Sequence, residues 1–197
     1  MDSVNLIFNK GNLLWKSNYD NSHGYQIIKI RFENNIIVDS IYNIVSRSYY
    51  NDGKEFRESI EKVTIIDGER NGNYFRYYKE NPIHKYQIGS YKNGYLHGLI
   101  TKFKDNGEPL SETMYKEGKI NRLERIYFDN KNQLRYELSY INGLANGTLT
   151  EWWENGKVSG VTNYMDDEPN GERRIYLENG DLAFIQILKA GLATRTE

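Results

Sequence analysis

The chain has 197 residues and a mass of 23.2 kDa, the size of one domain or one repeat array. Its 26 Lys and Arg against 27 Asp and Glu leave a net charge of −1, which provides no electrostatic footprint for nucleic acid or an anionic membrane. The absence of cysteine excludes disulfides, thiolate metal sites and a cysteine nucleophile, and no apolar run approaches the ~18 residues of a transmembrane helix.

Composition points to strands and turns. Tyr and Gly each occur 17 times, Asn 23 times and Pro only 3 times. Aromatic and β-branched residues suit strands, and Gly and Asn suit turns with positive φ. No long stretch has helical apolar spacing, so the expected class is all-β. At the start, Met1–Phe8 has no basic region followed by an apolar core. No secretory signal is read there, and a cytoplasmic location is expected.

Residues 1–67 read as degenerate repeats. Phe8-Asn-Lys-Gly11, Phe32-Glu-Asn-Asn35 and Tyr50-Asn-Asp-Gly53 each end on a candidate turn residue, and an insertion is expected within residues 54–64. Tyr78-Lys-Glu-Asn81 continues the series. From residue 68 to 191 the period becomes regular. Tyr91–Gly94, Tyr115–Gly118 and Tyr140–Gly143 share Tyr-x-x-Gly; Tyr164 follows with Asp167 in the Gly slot, and Leu188 with Gly191. Their first residues are spaced 24, 25, 24 and 24. Four residues after the Gly slot stands a second glycine (Gly98, Gly147, Gly171), except that Arg122 takes this slot once. Between these signatures lies a pattern of aromatic, any residue, acid, Asn, Gly at Phe103–Gly107, Trp152–Gly156 and Tyr176–Gly180; Tyr127–Asn132 has one inserted residue.

Each unit therefore reads as two strands and two turns. Leu134, Tyr136, Leu138 and Tyr140 alternate with Gln133, Arg135, Glu137 and Ser139, the signature of a half-buried strand. The predicted fold is an all-β array of tandem antiparallel β-hairpins of about 24 residues, an elongated, twisted or curled meander sheet held by neighbour contacts. Residues 192–197 are expected to fray.

Asn93-Gly94-Tyr-Leu-His-Gly98, Asn142-Gly143-Leu-Ala-Asn-Gly147 and Trp152-Trp-Glu-Asn-Gly156-Lys resemble MORN-type repeats, nearest the bacterial variant borne by YwqK-family antitoxins. The resemblance covers residues 68–191. It implies hairpin arrays without enzymatic chemistry that hold partners, and the antitoxin label implies a protein toxin as partner. The family pattern has no catalytic residues to transfer.

Nothing else in the chain spells out chemistry. His23, His84 and His97 lack metal-ligand spacing. Asp166-Asp167-Glu168 is the densest acidic cluster, read as a solvated turn without the spacing of a calcium loop. Glu178 and Asp181 recur as turn acids. No phosphate loop or nucleophile elbow occurs. The chain is accordingly expected to be non-enzymatic, with no metal or cofactor.

Aromatic rows are the functional candidates. Five residues after the second Gly slot come Tyr77, Phe103, Tyr127, Trp152 and Tyr176, and the next position carries Tyr78, Lys104, Phe128, Trp153 and Leu177. Neighbours along a strand point to opposite faces, so each face is expected to carry a row, one in the core and the other either covered by a second layer or exposed for binding with Trp153 as anchor. In the last unit both strand faces turn apolar, including Ile185 and Ile187, which suggests an interface or self-association at a C-terminal edge. The expected interaction residues are Tyr78, Phe128, Trp153, Ile185 and Ile187, and the expected partner is a protein. The alternative is a glycan or small ligand stacked on the aromatic stripe.

Overall fold

The computed structural model describes the backbone of residues 7–9, 12–15, 23–33, 36–50, 55–78 and 80–196, and side chains from 59 to 193 except 79. Every regular element among these residues is a strand. The chain divides into two compact units, Met1–Leu96 and His97–Glu197; the regular repeats begin inside the first.

In the first unit, β1 (Ile7–Asn9) pairs with β2 (Asn12–Trp15). The meander then runs through β3 (His23–Glu33), β4 (Ile36–Tyr50), β5 (Glu55–Ile66), β6 (Glu69–Tyr78), β7 (Asn81–Lys92) and β8 (Tyr95–Leu96). The expected turn residues Gly11, Asn35 and Gly53 fall between strands and outside the described residues. Residues 55–64, where an insertion is expected, lie in β5, which pairs with β4 without interruption from Ser40↔Ile65 to Tyr50↔Glu55.

The second unit holds β9 (Gly98–Phe103), β10 (Pro109–Lys116), β11 (Lys119–Tyr127), β12 (Leu134–Ile141), β13 (Leu144–Trp152), β14 (Val158–Met165), β15 (Glu168–Tyr176), β16 (Leu182–Lys189) and β17 (Leu192–Thr196). From β10 on, each is antiparallel to the strand before it, and the sheet does not close into a barrel. Residues 192–196, read as a fraying tail, form β17 and pair with β16. β16 is therefore not an edge strand.

Two kinds of turn alternate, each dictated by its residues. Asn93-Gly94, Glu117-Gly118, Asn142-Gly143, Asp166-Asp167 and Ala190-Gly191 have φ of 50/77, 52/79, 53/94, 51/71 and 48/75°. Two consecutive positive φ values define the type I′ turn, whose twist matches the flanking strands. At the opposite margin, the amide of Lys104 donates to the Glu108 carbonyl at 2.8 Å and that of Gly107 to the Lys104 carbonyl at 2.9 Å. Trp153/Lys157/Gly156 and Leu177/Asp181/Gly180 repeat this pattern. It is a three-residue turn closed by a glycine bulge, and Asn155 and Asn179 brace it by accepting from the amide two residues on, each at 2.9 Å.

The second Gly slot is a bulge. Gly72, Gly98, Gly147 and Gly171 have φ of 74, 80, 113 and 88°, and Arg122 has 87° in the same place. A Cβ on Gly147 would lie 3.1 Å from the Cβ of Ser139, so conformation and space both require glycine there.

Pairing across the second unit sorts its residues into two faces. Thr113, Glu124, Leu138, Leu149, Thr162, Arg173 and Gln186 are successive cross-strand partners on face A. Glu112, Arg125, Glu137, Thr150, Val161, Arg174 and Ile185 are partners on face B. Ser111, Thr113, Leu138, Gly160, Thr162 and Leu188 are buried, all on face A, while no partner in the face B row from Glu112 to Ile185 is buried. The alternation expected for β12 is present. Each strand packs mainly against its sheet neighbours. Burying Leu138 contributes about 2 kcal/mol, and such contacts are few, so the array depends on bonds between hairpins.

Candidate interaction surface

Repeat-to-repeat bonds run along both margins. At the I′ margin the Gly-slot amides of four hairpins donate to a carbonyl of the hairpin before: Gly94 to Arg70 at 2.9 Å, Gly143 to Ile120 at 2.7 Å, Asp167 to Ala145 at 3.0 Å and Gly191 to Pro169 at 2.9 Å. Asp167, a non-glycine in this slot, also accepts from the Ala145 amide at 2.6 Å. At the other margin Lys104 Nζ donates to the Lys131 carbonyl at 2.6 Å, Lys131 Nζ to Glu154 O at 3.2 Å, and Lys157 Nζ to Asn179 O at 2.6 Å. The Trp153 indole donates to Tyr176 O at 3.2 Å.

These bonds define where the aromatic rows lie. Phe103, Tyr127, Trp152 and Tyr176 end their strands and, by register, project on face B, each half-buried. Tyr127 donates its hydroxyl to Glu112 Oε2 at 3.0 Å on that face. The second row stands at the turns, one residue past the ends of the strands. Lys104, Phe128, Trp153 and Leu177 open the turns, because the glycine-bulge turn takes up that position as its first residue. Phe128 and Trp153 are half-buried at the margin, and Leu177 is exposed. Tyr78, in the first unit, stacks on Tyr86 with centroids 4.5 Å apart. Ile185 and Ile187 lie on face B of β16, half-buried and exposed respectively.

Between the aromatic row and the I′ margin, face B carries ion pairs among aliphatic residues such as Val161 and Ile185. Arg125 Nε donates to Glu137 Oε2 at 2.7 Å, and its Nη1 lies 3.7 Å from Glu112 Oε2. A shallow depression lined by Val161, Asn163, Glu172 and Arg174 follows, where Glu172 pairs with Arg174. Face A is a packed hydroxyl network around Glu124. Its Oε2 accepts from Tyr140 at 3.1 Å and Tyr136 at 3.4 Å, and its Oε1 from Thr113 at 3.4 Å. Burial first, and then the Glu124 charge, push both phenols above the usual tyrosine range.

A second polar cluster, not legible in the sequence, lies in the first unit. Glu61, 6% exposed, accepts from Arg70 Nε at 3.0 Å and Arg76 Nε at 2.6 Å. Arg76 Nη1 donates to Gln87 Oε1 at 3.0 Å, and Gln87 Nε2 to the Tyr74 hydroxyl at 2.8 Å. Tyr74 is 1% exposed, and desolvation pushes its phenol up to about 12 against the lowering effect of Arg76. Desolvation lowers the Arg76 guanidinium, but Glu61 outweighs it and the net shift is upward. Glu61↔Arg76↔Gln87 is a cross-strand row, so the cluster is one rung of the sheet.

Among the described residues no group of three His, Asp or Glu side chains is arranged to hold a metal ion, and no helix is long and apolar enough to cross a membrane. Fold and surface together define an all-β protein of repeated antiparallel hairpins in a meander sheet. Comparison with family models and with curated proteins finds no match.

Proposed function

We propose that the chain is a non-enzymatic repeat scaffold that holds a protein partner against face B of its second unit. The observation behind this reading is the row Phe103, Tyr127, Trp152 and Tyr176. Four large aromatic side chains recur at the repeat spacing on the less buried face of a sheet whose strands pack mainly on their neighbours. Aromatic side chains provide large contact area at small entropic cost, and Tyr and Trp add a polar handle. The likeness of the Asn-Gly and Gly-x-x-x-Gly signatures to MORN-type repeats supports the same use, and its antitoxin variants suggest a toxin as the partner.

Affinity capture from the source cells tests this, with Trp152→Ala/Tyr176→Ala as control. The proposal expects one protein at fixed stoichiometry with the wild type and its loss with the folded variant. If that protein arrests growth when expressed alone, the toxin-neutralising reading follows. A chain that captures no protein, while sugars quench its tryptophan fluorescence, would overturn the scaffold in favour of glycan binding.

A further inference from the structure

The residues flanking the I′ turns of the second unit form one row on face B. Lys116↔Lys119, Ile141↔Leu144 and Met165↔Glu168 are the last cross-strand pairs before three successive turns. All six side chains are exposed, Ile141 at 55% and Leu144 at 44%. The first pair is basic, and the tip stays net basic with Glu117 in its turn. The middle pair is apolar. The third tip is acidic, carrying Asp166, Asp167 and Glu168. Lys116, Lys119 and Glu168 enter no ion pair among the described residues. The lysines of the opposite margin differ: Lys104 and Lys131 pair with Glu108 and Glu154 and also bond to turn carbonyls.

Successive hairpins are two strands apart, about 10 Å. The basic and acidic tips therefore flank the apolar pair at equal distances on opposite sides. Such a row is complementary to itself. A two-fold axis parallel to the strands and passing through the Ile141/Leu144 pair lays each basic tip over the acidic tip of a second copy, with the apolar pairs in contact between them. We propose that this margin is an isologous dimer interface whose occupant is a second copy of the chain. It goes beyond the scaffold reading and does not use the aromatic row, but the same axis turns the two faces B toward each other, so the dimer competes with a partner held on that face.

The contact is small, so association is weak and sensitive to salt. Sedimentation equilibrium of the full chain from about 1 to about 200 μM tests it. The wild type is expected to dimerise at low salt and to dissociate as salt rises. Lys116→Glu/Lys119→Glu leaves like charges facing each other and weakens association at least ~tenfold. Asp166→Asn/Glu168→Lys, which keeps a residue suited to the turn, weakens it in the same direction. An equimolar mixture of the two variants regains association, because the unaltered acidic tip of one meets the unaltered basic tip of the other. Circular dichroism checks that each variant folds, and Lys116→Ala/Lys119→Ala replaces the first should it fail. A wild type monomeric throughout at low salt overturns the proposal. So does a dimer unaffected by either variant, or variants whose mixture stays monomeric.

Discussion

The indole N–H of Trp153 donates to the main-chain carbonyl of Tyr176 at 3.2 Å, tying the turn of one hairpin to the strand end of the next. Trp153→Phe keeps an aromatic ring, smaller than the indole, and removes this donor. It should destabilise the fold by about 1 kcal/mol, and Trp153→Ala by roughly 2–3 kcal/mol through lost packing. Urea midpoints at constant slope measure both. If Trp153→Phe unfolds with the wild type while partner capture falls, Trp153 is a contact residue rather than a staple.

Arg122 sits at φ 87° where the other repeats have glycine. Non-glycine residues in this region carry about 1 kcal/mol or more of strain. Arg122→Gly is therefore expected to raise stability by about 1 kcal/mol in chemical denaturation. Gly147→Ala should do the opposite by about 2 kcal/mol, since it adds crowding against Ser139 to the strain. Equal and negligible effects would mean that the bulge relaxes freely.

Glu61 is buried between two guanidiniums. Arg76→Met removes one of them and the Gln87 bond with it, leaving Glu61 to Arg70 alone. The expected loss is about 3 kcal/mol. A double-mutant cycle with Glu61→Gln should show coupling above about 1 kcal/mol. Additive single effects would show that the pair contributes nothing beyond its separate parts.

The tyrosines set an alkaline limit. Desolvation raises Tyr74 to about 12, and it also raises Tyr91, Tyr136 and Tyr140. A phenol whose folded pKa is above its unfolded value of about 10 keeps its full contribution below that pH. The contribution is lost as pH climbs toward the folded value, because the unfolded chain ionises first. Stability should be flat with respect to these groups at neutral pH and fall from about pH 10 upward. Tyrosinate absorbance should show a late class that ionises together with loss of circular dichroism. A single titration at the ordinary pKa with the fold intact would contradict this.

Much of the second unit is legible in the sequence because its turns are chemically explicit. Asn142-Gly143 and Asn155-Gly156 specify two turn types, and period-two alternation specifies which side of β12 is buried. The regular period also locates β10 to β16. Three things are not legible. The aromatic neighbours Trp152 and Trp153 look like successive strand residues, yet the second opens a turn, and only the hydrogen-bond geometry of the loop tells them apart. Bonds such as Gly143 to Ile120 join residues 23 apart; a repeat period shows that units are alike, not how far one is offset from the next. The Glu61–Arg76–Gln87 rung belongs to one pair of hairpins, so it leaves no periodic trace.

Oxidative footprinting of the captured complex against the free chain tests most directly the claim that face B holds the partner. Tyr127, Trp152 and Tyr176 are expected to become protected together, while Tyr140 on face A keeps the same reactivity in both states. Protection confined to face A or to residues outside the second unit, with this row unchanged, would contradict the account.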